Sequence, residues 1–161
     1  MIRTLWTVAG GLSLTLCLVT GCSGEGEDMR EMSQEEARQR VNQQADVVRA
    51  AAGAAEFSRS YAGVSPCDGR FGESSDIDEI YYIQGIYQML IPAAEHAAVM
   101  AKVKGSLVDS GWTLRSERSF PSGGGEFQAG FGDEFDVLLA TGEGRAVSLM
   151  VSSPCYRVPG K

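Results

Sequence analysis

An apolar run that ends abruptly at a cysteine divides this chain of 161 residues into two unequal parts. Residues Leu5 to Val19 are apolar, small or hydroxyl-bearing, Arg3 supplies one positive charge before them, and the polar sequence SGEGED follows Cys22. A run of about 15 residues fits the core of a secretory signal and is shorter than the roughly 18–20 residues of a membrane-spanning helix. The run therefore predicts a targeting signal, and a folded domain has to be built from the residues after it.

The residues at the end of this run carry a more specific pattern. Val19-Thr20-Gly21-Cys22 resembles the lipobox of bacterial lipoprotein signal peptides, in which a branched residue and two small residues precede a cysteine. The resemblance implies that the Cys22 thiol receives a diacylglyceryl group, that cleavage follows Gly21, and that Cys22 becomes the N-terminus. Two acyl chains suffice for lasting membrane attachment. The alternatives are an ordinary secretory signal and an uncleaved anchor helix.

The resemblance also sets the expected organisation of the chain. Residues 1–21 are predicted to be the cleaved signal peptide, 22–32 a flexible acidic tether, and 33–161 a single α+β domain. Removing residues 1–21 takes away only Arg3, which leaves 13 basic and 21 acidic side chains and a net charge of −8. Because an acidic surface is repelled by nucleic acid and by anionic headgroups, we expect no nucleic-acid partner and no membrane contact other than the lipid on Cys22.

Hydrophobic periodicity predicts the main elements of the domain. A helix begins at a capping box, Ser33 to Glu36, and carries an alanine-rich stripe from Ala37 to Ala55. A strand is expected at about 80–91, a second helix between Pro92 and Gly111, and three further strands at about 112–118, 134–141 and 145–152. Residues 63–72 and the glycine-rich stretch 120–132 are expected to be loops.

This order of elements predicts a two-layer α+β sandwich. Two helices would pack on one face of a mainly antiparallel four-stranded sheet. The β-α-β-β-β run with its terminal SSPC also resembles uncharacterised secreted actinobacterial lipoproteins. An excess of arginine over lysine, with Asn42 as the sole asparagine, fits a G+C-rich genome of that kind.

Four cysteines allow three pairings in principle. If Cys17 leaves with the signal and Cys22 is alkylated, as the lipobox resemblance implies, Cys67 and Cys155 remain to form a disulfide in an oxidising compartment. Two free thiols are the alternative.

Few residues of the sequence are candidates for catalysis, metal binding or ligand binding. His96 is the single histidine and lies on the apolar stripe of the second helix, which favours packing over general-base catalysis. The acidic clusters at 76–79 and 132–136 lack the spacing of a calcium loop, and the glycine-rich stretch lacks that of a phosphate loop. Tyr81, Tyr82 and Tyr87 could line a ligand surface but are more typical of core or cross-strand pairs. We therefore expect no catalytic, cofactor or metal residues.

Two classes of function remain open. The first is a membrane-anchored extracytoplasmic module, not an enzyme, that binds an envelope protein or a small ligand of unknown identity. The alternative is an envelope-associated enzyme of hydrolase type with a site that the sequence does not reveal. A deep pocket that combines two or more carboxylates with His96 would favour the enzyme, whereas a shallow apolar patch would favour binding.

Overall fold

The computed structural model describes residues 29–69, 72–121, 123–132 and 134–161. The lipobox and Cys22 lie outside these residues. The elements in chain order are α1 (Gln34–Ala52), β1 (Arg59–Pro66), β2 (Ile80–Leu90), a 3-10 turn (Ala93–Glu95), α2 (His96–Asp109), β3 (Thr113–Ser119), β4 (Gly125–Phe131), β5 (Phe135–Thr141), β6 (Ala146–Ser152) and β7 (Tyr156–Arg157).

The first helix begins at the predicted cap and ends at Ala52, three residues before the end of the predicted stripe. The Ser33 hydroxyl accepts a hydrogen bond from the Glu36 amide, and Gly53 adopts the left-handed conformation that ends the helix, with φ of 77°. The Glu36 carboxylate does not complete a capping box, because it pairs with Arg40 at 2.9 Å. The stripe residues that the helix contains are all buried; they are Ala37, Val41, Ala45, Val48 and Ala52.

The strands form one antiparallel sheet in the order β1-β2-β6-β5-β4-β3. The short β7 pairs with the first residues of β2 and so continues the line of β6 beyond a break at residues 153–155. Alternate residues of β2, β4, β5 and β6 are buried on one face. Helix α1 packs there against β2 and its neighbours, while α2 packs against β3 and β4. The expectation of two helices and an α+β fold is therefore correct.

The prediction of a four-stranded sheet is wrong, because the sheet has seven strands. Strand β1 includes residues 63–66 of the predicted loop at 63–72, and β4 lies within the predicted glycine-rich connection at 120–132. Glycines in these strands leave room for close neighbours. A Cβ at Gly125 would approach the Arg118 carbonyl to 2.5 Å, and one at Gly130 would meet the Arg115 guanidinium. Their presence marks crowded positions of a sheet and not turns.

The residues just before α1 are part of the domain. Met32 is buried, its amide donates to the Arg157 carbonyl at 3.0 Å, and its carbonyl accepts from the Tyr81 hydroxyl at 2.8 Å. The Arg157 amide in turn donates to the Arg30 carbonyl at 3.1 Å. The last three residues of the segment for which a tether was expected are therefore fixed against β7.

Candidate functional site

The face of the sheet opposite the helices carries an apolar row that crosses four strands. Tyr61 of β1 pairs with Ile86 of β2, Ile86 with Met150 of β6, and Met150 with Leu138 of β5. Directly paired residues project from the same face, so the four side chains lie side by side. We call Tyr61, Ile86, Met150 and Leu138 the outer row. Tyr61 is 68% and Ile86 49% exposed, and the other two are half-buried.

Polar side chains lie on both sides of the outer row. Gln88, Ser148 and Glu126 flank it on one side, with Ala140 between the last two, and Gln84, Ser152 and Asp136 flank it on the other, as the strand registers show. Gln84 Nε2 lies 3.2 Å from Met150 Sδ. The Arg115 guanidinium lies over Gly130 and pairs with Asp136 at 2.8 Å. The result is an apolar strip with a polar rim, which is the composition of a protein-binding surface.

Neither helix packs over the outer row. Both helices lie on the opposite face, where the inward residues of the strands form the core. Exposed apolar side chains are common on protein surfaces, but a contiguous row across four strands is a candidate interaction site.

The cleft that contains His96 is a second candidate. It has a volume of about 490 Å³ and lies between the start of α2 and the hairpin at 142–144. His96 is 4% exposed, and its Nε2 lies 3.1 Å from the Ile91 carbonyl oxygen, which can only accept. The ring is therefore a donor at Nε2 and ties the first turn of α2 to the end of β2. This matches the packing role that the sequence favours.

The other polar side chains that line this cleft are a hydrogen-bonded threonine and one carboxylate. Thr141 Oγ1 accepts from the Gly125 amide at 2.9 Å and donates to the Gly125 carbonyl at 3.2 Å. Glu143 is the one carboxylate among the residues that line the cleft. The cleft therefore does not combine His96 with two carboxylates, which is the arrangement that would favour an enzyme.

Two of the three tyrosines of β2, Tyr81 and Tyr87, contribute to the core and not to an exposed ligand surface, whereas Tyr82 is half-buried on the opposite face. Tyr81 and Tyr87 are buried, and the Tyr87 hydroxyl donates to Asn42 Oδ1 at 2.7 Å. Burial, with a smaller repulsion from Tyr156, raises the pKa of Tyr81 to about 12. Burial also raises the pKa of Tyr87 to about 12, with Asp46 adding to the effect. Desolvation disfavours the phenolate in both cases.

We expect the free energy of unfolding to fall between pH 10 and pH 12. In this window Tyr81 and Tyr87 ionise in the unfolded chain but stay protonated in the fold, so that alkali favours unfolding. The variant Tyr87→Phe should show a smaller fall, measured by urea unfolding at each pH. The control is the range from pH 7 to pH 9, where the difference in free energy of unfolding between the variant and the parent protein should be constant. An equal fall in both proteins between pH 10 and pH 12 would contradict the assignment.

The acidic clusters serve turns and ion pairs. Asp76 Oδ1 accepts from the Asp78 amide at 2.9 Å, and Glu134 pairs with Arg30 at 3.0 Å. Within the described ranges, no group of three or more histidine, cysteine or acidic side chains is placed to hold a metal ion.

The disulfide joins Cys67 to Cys155, as predicted, over a sequence separation of 88 residues. Cys67 follows β1, and Cys155 lies in the break between β6 and β7. The bridge therefore connects the edge strand β1 to the chain on the other side of β2.

None of the helices in the described part of the chain is both long and apolar enough to span a bilayer.

Comparison with known proteins gives one informative likeness. No family model matches the chain, and no curated protein matches it in sequence. The fold is similar to the crystal structure of the putative lipoprotein LppA from Mycobacterium tuberculosis, with a TM-score of 0.51 and 13% sequence identity over 79% of each chain. At this identity the likeness shows a shared fold.

Proposed function

We propose that this chain is a lipoprotein, anchored through Cys22 to the extracytoplasmic face of the cell membrane. The residues Val19 to Cys22 support this by their resemblance to a lipobox. A fold shared with the putative lipoprotein LppA from Mycobacterium tuberculosis supports it independently. The disulfide between Cys67 and Cys155 suits an oxidising compartment outside the cytoplasm.

We further propose that the domain is a binding module and not an enzyme. The observation that carries this proposal is the outer row, where Tyr61 of the edge strand β1 and Ile86 of the neighbouring β2 expose large apolar side chains on the sheet face opposite the helices. Small ligands are usually held in concave sites, whereas a flat strip with a polar rim suits another protein. The partner class is therefore an envelope protein.

A photo-cross-linking amino acid at position 86 tests this role in living cells. Ile86 and Val47 are matched in exposure, at 49% and 48%, but Val47 lies on α1, in the helical layer. We expect a discrete cross-linked product from position 86 and none from position 47. The product should be lost when Met150, the neighbour of Ile86 in the row, is changed to lysine.

Two outcomes would contradict the binding role. The first is equal labelling from positions 86 and 47, which would indicate random collisions. The second is turnover of an envelope substrate that His96→Ala removes, which would favour the alternative of a hydrolase that uses the His96 cleft.

A further inference from the structure

The N-terminal segment enters the domain at one end of the sheet. Besides the backbone bonds to Arg157, Arg30 Nη1 lies 3.0 Å from Glu134 Oε1 in the turn between β4 and β5. We call this end of the sheet the anchor end. It contains the start of β2 and β5, the end of β4 and all of β7, namely Ile80, Phe135, Phe131 and Arg157. The far end contains Leu90, Gly125, Thr141 and Ala146.

Little chain separates the anchor end from the lipidation site. Seven residue steps lead from Cys22 to Met29, the first residue that the structure describes. Even a fully extended chain of this length spans only about 25 Å. Strand β2 has 11 residues from the anchor end to the far end, which corresponds to about 33 Å. The possible reach of the tether is thus shorter than the strand.

The tether holds the anchor end near the lipid headgroups, and the net negative charge of the domain keeps its sides away from anionic headgroups, so we infer that the anchor end faces the bilayer and that the strands stand upright on it. This inference rests on the proposed acylation of Cys22. The exposed apolar side chains of Ile77 and Phe131 lie at the anchor end, next to the surface. The His96 cleft lies at the far end and points away from the membrane.

The orientation also places the proposed binding site. Ile86 lies six residues beyond Ile80 along β2, which is about 20 Å from the anchor end. The outer row crosses the strands and therefore runs parallel to the bilayer at that height. A partner that reaches it has to approach from the side, as a neighbouring membrane-bound protein does.

Paramagnetic broadening measures this orientation on the unaltered protein. The lipidated, nitrogen-15-labelled protein would be placed in lipid nanodiscs that contain a gadolinium-chelating headgroup, with the diamagnetic lutetium lipid as the control. We expect the amide signals of Ile80, Phe135 and Arg157 to be lost. Those of Leu90 and Ala146 should keep their intensity, and that of Ile86 should be intermediate.

Lengthening the tether tests the cause of the orientation. A flexible glycine-serine insert of seven residues between Gly26 and Glu27 doubles the tether and should reduce the difference in broadening between Ile80 and Leu90. Equal broadening of both ends, stronger broadening at Leu90, or a gradient that the insert leaves unchanged would overturn the inference.

Mass spectrometry of Cys22 separates the two proposals. An acylated protein without the gradient refutes the orientation alone, whereas an unmodified Cys22 refutes the anchor and the orientation with it.

Discussion

The double variant Cys67→Ala/Cys155→Ala should lose about 4–5 kcal/mol of its free energy of unfolding. A bridge over 88 residues removes many conformations from the unfolded chain, and the chain-entropy account gives this magnitude for such a loop. The bridge also ties the edge strand β1 to the chain after β6. Urea unfolding of the variant and of the parent protein, both without a reducing agent, measures the difference in free energy of unfolding.

The variant should nevertheless fold, because hydrogen bonds hold the backbone at Cys67 independently of the bridge. The Cys67 amide donates to Ser75 Oγ at 2.8 Å, and the Ser75 amide donates back to the Cys67 carbonyl at 2.9 Å. Reduction of the parent protein is the matched control and should lower its stability to that of the variant. If reduction and substitution both left the urea midpoint unchanged, the bridge would not contribute to stability.

The sequence predicts those elements whose burial is repeated at a fixed period. The stripe of α1 and the alternation of Tyr81, Ile83, Tyr87 and Met89 in β2 are regular over several turns or residue pairs, and both are buried as expected. In these segments local pattern and tertiary packing favour the same structure, so that the pattern alone identifies them.

Strands β1 and β4 were missed because their sequences are shaped by neighbours that lie far away in the chain. In β1, the Tyr61 ring folds over Gly63 and occupies the space that a side chain at position 63 would need. In β4, Gly125 and Gly130 leave space for residues of β3. Such glycines resemble loop residues when only local sequence is considered, because the contacts that require them belong to the sheet.

The candidate site was missed for a related reason. The outer row takes one residue from each of four strands, and their adjacency depends on a strand order that the sequence did not predict. A signal was nevertheless present in β2, where the apolar Ile86 lies between the glutamines at 84 and 88 on the same face of the strand. His96, by contrast, was placed correctly, because its position on the α2 stripe is a local property.

Changing Cys22 to alanine should abolish acylation of the protein. If the lipid on Cys22 is the anchor, its removal leaves an acidic domain that anionic headgroups repel, and two acyl chains are what make attachment lasting. We expect the variant to carry no acyl group and to be found either as unprocessed precursor, which keeps its apolar run, or as protein released into the medium. Cell fractionation followed by immunoblotting measures this distribution.

Cys17 provides the matched control for this change, because it is a cysteine of the same apolar run and precedes the expected cleavage site. The variant Cys17→Ala should remain in the membrane fraction and carry the same mass as the parent protein after extraction. Mature, membrane-extracted protein with an unmodified Cys22 would exclude the lipid anchor. The folded domain begins only a few residues after Cys22, so folding has to be checked in both variants. An intact disulfide between Cys67 and Cys155 in both would show that the change acts on attachment and not on folding.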